Sequence, residues 1–202
     1  MPLSHEHKLV MVHIPKNAGT SIEKCLDMKE TGHWDWAHYA TKFPSEWKDY
    51  KTFAVIREPL DRFVSSYNYA SMEESYWHNS DPNKESEYGK HVDYDACVKY
   101  ELNDIVPLWL DGKVELKHPS WDHQNTMIMD GSSIAVDYLV SFEYVGSAMS
   151  VLAPNAVLKK INASSSKRPN QLSSENQKLL REYYSTDYDL YSLLSGQSLY
   201  EV

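Results

Sequence analysis

The residues best suited to chemistry lie between positions 8 and 26, in "KLVMVHIPKNAGTSIEKCL". An apolar run, Lys8–Ile14, turns abruptly into the small and polar residues Pro15 to Ser21 and then into an amphipathic stretch. Strand, short loop, helix is the arrangement in which backbone N–H groups at a helix start cradle a phosphate or a sulfate. Lys16 adds a point charge to that loop. Asn17, Ala18, Gly19, Thr20 and Ser21 follow it and offer backbone N–H and hydroxyl donors, with Gly19 letting the backbone come close to an anion.

The loop is not the nucleotide-triphosphate loop G-x-x-x-x-G-K-[ST]. Its lysine precedes its only glycine, and the first glycine of that pattern is missing. The next apolar segment, Thr52–Ile56, ends in Arg57, where a magnesium-dependent site would offer an acid. Arg57 opens a second candidate anion clamp: an arginine at a strand end, with the hydroxyl of Ser65 further along the next helix. Two clamps on adjacent strands suit a nucleotide carrying phosphates at both ends of its ribose. That describes 3′-phosphoadenosine 5′-phosphosulfate, PAPS.

"HIPKNAGTS" resembles the 5′-phosphosulfate loop of PAPS-dependent sulfotransferases, and "VIREPLDRFVSSY" resembles their 3′-phosphate motif R-x-P-x-x-R-x-x-S-x-Y. The segment from Gly32 to Phe43 is similar to the one before the second strand in heparan sulfate 2-O-sulfotransferases. "VSFEYV", "NASSSKRP" and "YYSTDYDLY" resemble closing segments of the carbohydrate sulfotransferase branch. The likeness touches most of the chain outside residues 72–117. It implies a P-loop-like three-layer α/β fold with a central, mainly parallel sheet flanked by helices. It also implies transfer of the sulfuryl group from PAPS to a hydroxyl of a carbohydrate-like or small-molecule acceptor, leaving PAP.

In that reaction Lys16 neutralises charge developing on the leaving phosphate, and Arg57 and Ser65 hold the 3′-phosphate. Lys167 and Arg168 either close over the same phosphate or form a solvated basic pair. Histidine suits the role of general base. His33 matches the family's base position in the Gly-His segment, and His38, five residues on, is the alternative. Trp34, Trp36 and Tyr39 beside them either stack on the apolar face of a sugar or pack as core. His123 and Gln124 fall in a segment resembling the substrate-proximal part of the family. The competing readings are a P-loop phosphotransferase and a protein that binds the nucleotide without turnover.

The elements that must position these groups follow from periodicity. Strands at Lys8–Ile14, Thr52–Ile56 and Ala135–Phe142 alternate with helices at Thr20–Met28, Leu60–Ala70 and Ser173–Tyr184, the pattern of an α/β sheet with a parallel core. Thr31–Pro44 reads as aromatic and irregular. Met72–Asp104 is acidic and carries the turn signal Asp81-Pro82-Asn83. It is either a solvated insertion with a helix from about Tyr94 to Leu102 or a lid over the site. A helix near Ala148–Leu152, a strand or turn at Val157–Ile161 and a polar loop at Asn162–Pro169 complete the reading.

A chain of 202 residues, 42% hydrophobic and 24% charged, can bury a full core, and residues 1–202 are expected to form one domain. The net charge of −9 disfavours a broad grip on nucleic acid or on a heavily sulfated polymer. No segment approaches the roughly 20 apolar residues of a membrane span, and the start lacks a signal-peptide pattern. Cys25 and Cys97 make no disulfide framework. A cytoplasmic protein with reduced thiols is expected, with no membrane or nucleic-acid partner. The absence of H-E-x-x-H and C-x-x-C patterns leads to the expectation of no metal.

If two clamps are engaged, PAP or PAPS raises the thermal midpoint far more than ATP or AMP does. A ligand at about 100 times its dissociation constant adds about 2.7 kcal/mol. Scanning fluorimetry measures the difference, and equal shifts for ATP and PAP would contradict a 3′-phosphate site.

Overall fold

Runs such as Leu9–Val12, buried at every position, are what a strand requires when helices cover its sheet on both faces. The computed structural model describes residues 3–29, 32–74, 90–156 and 171–202. Its first elements are β1 (Leu3–Ser4), β2 (Leu9–Val12), α1 (Gly19–Cys25), α2 (Trp36–Lys42), α3 (Pro44–Asp49), β3 (Lys51–Ile56) and α4 (Pro59–Ala70). After them come α5 (Tyr94–Lys99), α6 (Leu102–Leu110), β4 (Met129–Asp130), β5 (Ser133–Ile134) and β6 (Tyr138–Ser141). The chain closes with α7 (Val145–Leu152), α8 (Ser174–Tyr183), α9 (Ser185–Ser192) and β7 (Leu199–Glu201).

The described residues form two compact units. One is drawn from within Met1–Glu58, Asp122–Ile161 and Ser185–Val202, the other from within Pro59–Trp121 and Asn162–Tyr184. In the first, one sheet has the order β1-β2-β3-β6-β7. Its central strands β2, β3 and β6 run parallel, and β1 and β7 pair antiparallel at the edges. This is the expected α/β arrangement, a mixed sheet with a mainly parallel centre flanked by helices.

Register fixes which side chains share a face. Met11 pairs with Phe53 and Phe53 with Tyr138, while Val12 pairs with Ala54 and Ala54 with Leu139. The first set packs with Ile22 of α1, with Leu26 just after it, and with Ala148, Met149 and Leu152 of α7. The second packs with Tyr39 of α2, Ile128, Val136 and Leu190 of α9. Each such burial contributes roughly 2 kcal/mol. A polar clasp pins β3 against the start of β6. The Thr52 N–H and hydroxyl both donate to Asp137 Oδ2, at 2.7 and 2.9 Å, and the Asp137 N–H donates back to Thr52 Oγ1 at 2.8 Å.

The second unit is helical, built from α4, α5, α6 and α8 around Phe63, Tyr67, Cys97, Ile105, Trp121, Leu180 and Tyr184. Asp93 fixes the segment after α6 by accepting from the Lys117 and His118 N–H groups and from Trp121 Nε1, at 2.7, 3.0 and 2.8 Å. The Tyr184 hydroxyl donates to the Trp121 carbonyl at 2.7 Å. Ser173 caps α8 by accepting from the Asn176 N–H.

Thr31–Pro44, expected to be irregular, instead contains α2 and leads straight into α3. The Asp35 carboxylate accepts from the His38 N–H at 2.9 Å and starts α2, and Pro44 takes the first position of α3, where its missing N–H costs nothing. The helix expected over Tyr94–Leu102 stops at Lys99 because Tyr100 is extended, and a separate helix, α6, begins at Leu102. The strand expected over Ala135–Phe142 narrows to Tyr138–Ser141, and the helix near Ala148 starts earlier, at Val145. Val157–Ile161, Asn162–Pro169 and residues 75–89 of the 72–104 segment, with the turn signal Asp81-Pro82-Asn83, lie outside the described residues. Among the described residues no helix is long and apolar enough to cross a membrane.

Candidate active site

β2 and β3 are parallel neighbours, so the segments that follow them leave the same edge of the sheet, where open α/β sheets bind ligands. The segment after β2 is His13 to Ala18, and it has an unusual backbone. Lys16 has φ 71° and Ala18 has φ 64°, both in the left-handed region that side chains with a Cβ disfavour. The cost is about 1–2 kcal/mol for each residue, so surrounding contacts must hold the loop.

Those contacts come from the end of β3 and from Gln124. The Asn17 amide donates to the Val55 carbonyl and to Gln124 Oε1, both at 2.6 Å. Gln124 Oε1 also accepts from the Arg57 N–H at 3.1 Å, while its Nε2 donates to the Arg57 carbonyl at 2.9 Å. Arg57 then reaches back, donating from its guanidinium to the Lys16 carbonyl at 2.8 Å. Behind Gln124 stands Asp187 of α9, which accepts from the N–H groups of Gln124 and Asn125 at 2.8 and 3.0 Å. Gln124 and Asp187 are both 0% exposed. Each of these buried bonds contributes about 1 kcal/mol net, and more when a partner is charged. Together they match the cost of the left-handed residues.

The loop also brings two cations together. Burial holds the Lys16 ammonium far below the ordinary lysine range, at about 7, and the nearby Arg57 charge adds to the effect. The Arg57 guanidinium lies over the Phe142 ring, 4.1 Å from its centroid.

Gly19 opens α1, and its lack of a side chain has a specific cause. A Cβ there would stand 2.0 Å from His13 Nε2, so the His13 ring occupies the side-chain space. His13 Nδ1 donates to Glu23 Oε1 at 3.0 Å. The ring of His33 meets that of His13 edge-on, with centroids 4.5 Å apart, and His33 Nδ1 lies 3.0 Å from the His13 carbonyl oxygen. A carbonyl only accepts, so Nδ1 carries the hydrogen and the lone pair of the neutral ring is on Nε2.

The other expected site residues fall in different places. The N–H of Ser21 donates to the Ala18 carbonyl at 3.0 Å, within the first turn of α1. His38 does not join the His13 corner through its ring. It stacks on Trp34 at 4.5 Å, and Trp34 is 49% exposed. Trp36 takes the core alternative, packing beneath the sheet and donating from Nε1 to the Met129 carbonyl at 2.9 Å. Tyr39 is buried in the same core. His123 is part-buried, its Nδ1 3.3 Å from Thr186 Oγ1. Gln124 is buried and braces the loop. Ser65 lies part-exposed on α4 in the second unit, whereas neighbouring Ser66 is buried and donates to the Arg62 and Ser120 carbonyls. Lys167 and Arg168 lie outside the described residues.

Sequence reasoning missed Asp187, Glu23 and the tyrosines of α9. Tyr188 donates to Glu58, and Tyr191 to Glu143 at 3.1 Å. Burial and the neighbouring Glu143 carboxylate push the Tyr191 phenol up to about 12. Only the "YYSTDYDLY" segment signalled this region, and it carries no apolar periodicity from which a helix could be read.

Among known families, a model described as "Sulfotransferase family" matches residues 2–193. Comparisons with curated proteins and with solved structures gave no match.

Replacing Gln124 by Ala removes one of the two acceptors of the Asn17 amide and leaves the Arg57 N–H and carbonyl without their Gln124 partner. The expected loss of stability is about 2–4 kcal/mol in urea unfolding, with weaker binding of PAP. A loss below about 1 kcal/mol with unchanged PAP affinity would show that the loop does not lean on Gln124.

Proposed function

The chain belongs to the sulfotransferase family, and from that premise we propose that it moves the sulfuryl group of PAPS to a hydroxyl of a carbohydrate-like or small-molecule acceptor. Membership gives sulfuryl transfer, a reaction of EC 2.8.2 type, as the general chemistry. The observation that carries the finer reading is the placement of Lys16 beside Arg57 in a braced loop. Two cations held together, one of them with its pKa lowered to about 7, fit a site completed by an anion. A bound phosphate or sulfate would reverse the destabilisation of the Lys16 charge.

In the reaction the acceptor oxygen bonds to sulfur as the bond from sulfur to the 5′-phosphate oxygen breaks, and that electron pair leaves on PAP. Lys16 offsets charge gathering on the leaving oxygen. Asn17, Ala18, Gly19, Thr20 and Ser21 shape the loop around the same phosphate. His33 takes the acceptor proton on Nε2, the nitrogen that its bond to the His13 carbonyl leaves with the lone pair. The Trp34–His38 stack offers a flat, half-exposed surface to the apolar face of an acceptor. The assignment of Arg57, Ser65, Lys167 and Arg168 to the 3′-phosphate rests on the sequence motif. The net charge of −9 favours a neutral acceptor over a long polyanion.

Labelled PAPS offered with a panel of hydroxyl acceptors tests the reading. Lys16→Ala is expected to lower turnover by about 100-fold or more, with a smaller effect on PAP affinity. His33→Ala is expected to lower kcat by about 10²–10⁴-fold while PAP binding stays near normal. His38→Ala keeps most of the rate. An active His33→Ala beside an inactive His38→Ala would transfer the role of base to His38. Binding of PAP with no transfer to any acceptor would favour a protein without turnover, and strict dependence on ATP and magnesium would favour a phosphotransferase.

A further inference from the structure

Glu23 and His13 form a buried titratable pair that the reaction as written does not use. Glu23 is 2% exposed on α1 and His13 is 7% exposed at the end of β2. A carboxylate so deep is costly unless it is paired. Its Oε1 accepts from His13 Nδ1 at 3.0 Å, while its Oε2 is buried with no hydrogen-bond partner among the described residues. The Glu23 charge is therefore only partly compensated. The next ring in line is His33, which meets His13 edge-on at 4.5 Å and donates from Nδ1 to the His13 carbonyl.

We propose that Glu23, acting through His13, is a positioning residue for His33. It fixes the His13 ring and carbonyl that hold the Nδ1–H tautomer, and it supplies the counter-charge when His33 Nε2 accepts a proton. The proposal rests on the reading of His33 as the base.

A purely structural role can be separated from an electrostatic one. The Oε1 of a glutamine can accept from His13 Nδ1 as Glu23 does, so Glu23→Gln keeps the hydrogen bond and removes the charge. A negative charge favours the protonated form of a nearby imidazole and raises its pKa. Other charged or titratable groups carried by the elements that pack at this corner are Lys24 and Cys25 on α1, Lys16 and Arg57 on the strand-end segments, and Asp35, His38 and Lys42 at and within α2. Glu23 reaches His33 through one residue, His13, whose ring it holds and whose carbonyl holds His33.

The test is Glu23→Gln in the full chain, read by imidazole NMR titration and by the pH profile of kcat. The His33 signal is identified by its loss in His33→Ala. The His33 pKa is expected to fall by about one unit, and the acidic limb of the rate profile to move to lower pH by the same amount. The plateau rate is expected to fall about tenfold, with PAP affinity within about twofold of the parent. An unmoved His33 pKa and an unmoved limb, together with the expected rate loss in His33→Ala, would overturn the role of Glu23 alone. A fully active His33→Ala would overturn the base assignment, and this role with it. If Glu23→Gln does not fold, the double variant Glu23→Leu/His13→Phe removes both buried partners together. It carries the same expected fall in the His33 pKa, and an unchanged pKa overturns the proposal.

Discussion

The site depends on one constraint: Lys16 and Ala18 must hold left-handed backbone angles that neither residue favours. A glycine at either position would relieve the strain but would remove the lysine or loosen the loop. The chain instead keeps the side chains and holds the backbone by hydrogen bonds from below, through Asn17, Gln124 and the Arg57 guanidinium. The order of support runs outward from the core. Asp187 fixes Gln124, Gln124 fixes Asn17 and the end of β3, and the end of β3 fixes the Lys16 carbonyl. Two left-handed residues cost roughly as much as a few net hydrogen bonds contribute, so the shape of the loop depends on these links.

The same arrangement sets the electrostatics. Holding the loop against β3 places Lys16 in a desolvated position near Arg57, which lowers the affinity of its ammonium for the proton. A neighbouring anion would make such an arrangement favourable. His33 stands on the other side of His13, tied to the strand end by a backbone carbonyl and not by a mobile side chain. The loop that carries Lys16 and the imidazole of His33 thus meet at His13.

Much of this was legible in the sequence. The strands β2, β3 and β6 are short apolar runs ended by polar residues, and buried parallel strands leave that trace. The residue types of "HIPKNAGTS" and Arg57 already pointed to an anion. Other features left weaker traces. The start of α2 is marked by Asp35 and that of α3 by Pro44, signals lost among aromatic residues without helical period. α9 lacks an apolar stripe because its main contribution to the site is a buried carboxylate, Asp187. Gly19 was read as letting the backbone approach an anion, and the packing of the His13 ring where its Cβ would stand is a second reason for glycine that left no trace in the sequence. The bracing bonds of Gln124 left no trace either, because a buried polar brace has no periodic signature and only its partners disclose it.

The account turns on the charge of Lys16, and titration of its Nζ by NMR, with and without PAP, tests it most directly. In the free protein the account predicts titration at about 7. With PAP bound the pKa should rise by at least about two units, because an adjacent anion favours the charged form. Binding then takes up a proton above pH 7, and PAP affinity falls as the pH rises through that value. A Lys16 that titrates in the ordinary lysine range in both states, with PAP affinity independent of pH, would contradict the braced cationic loop as the centre of the site.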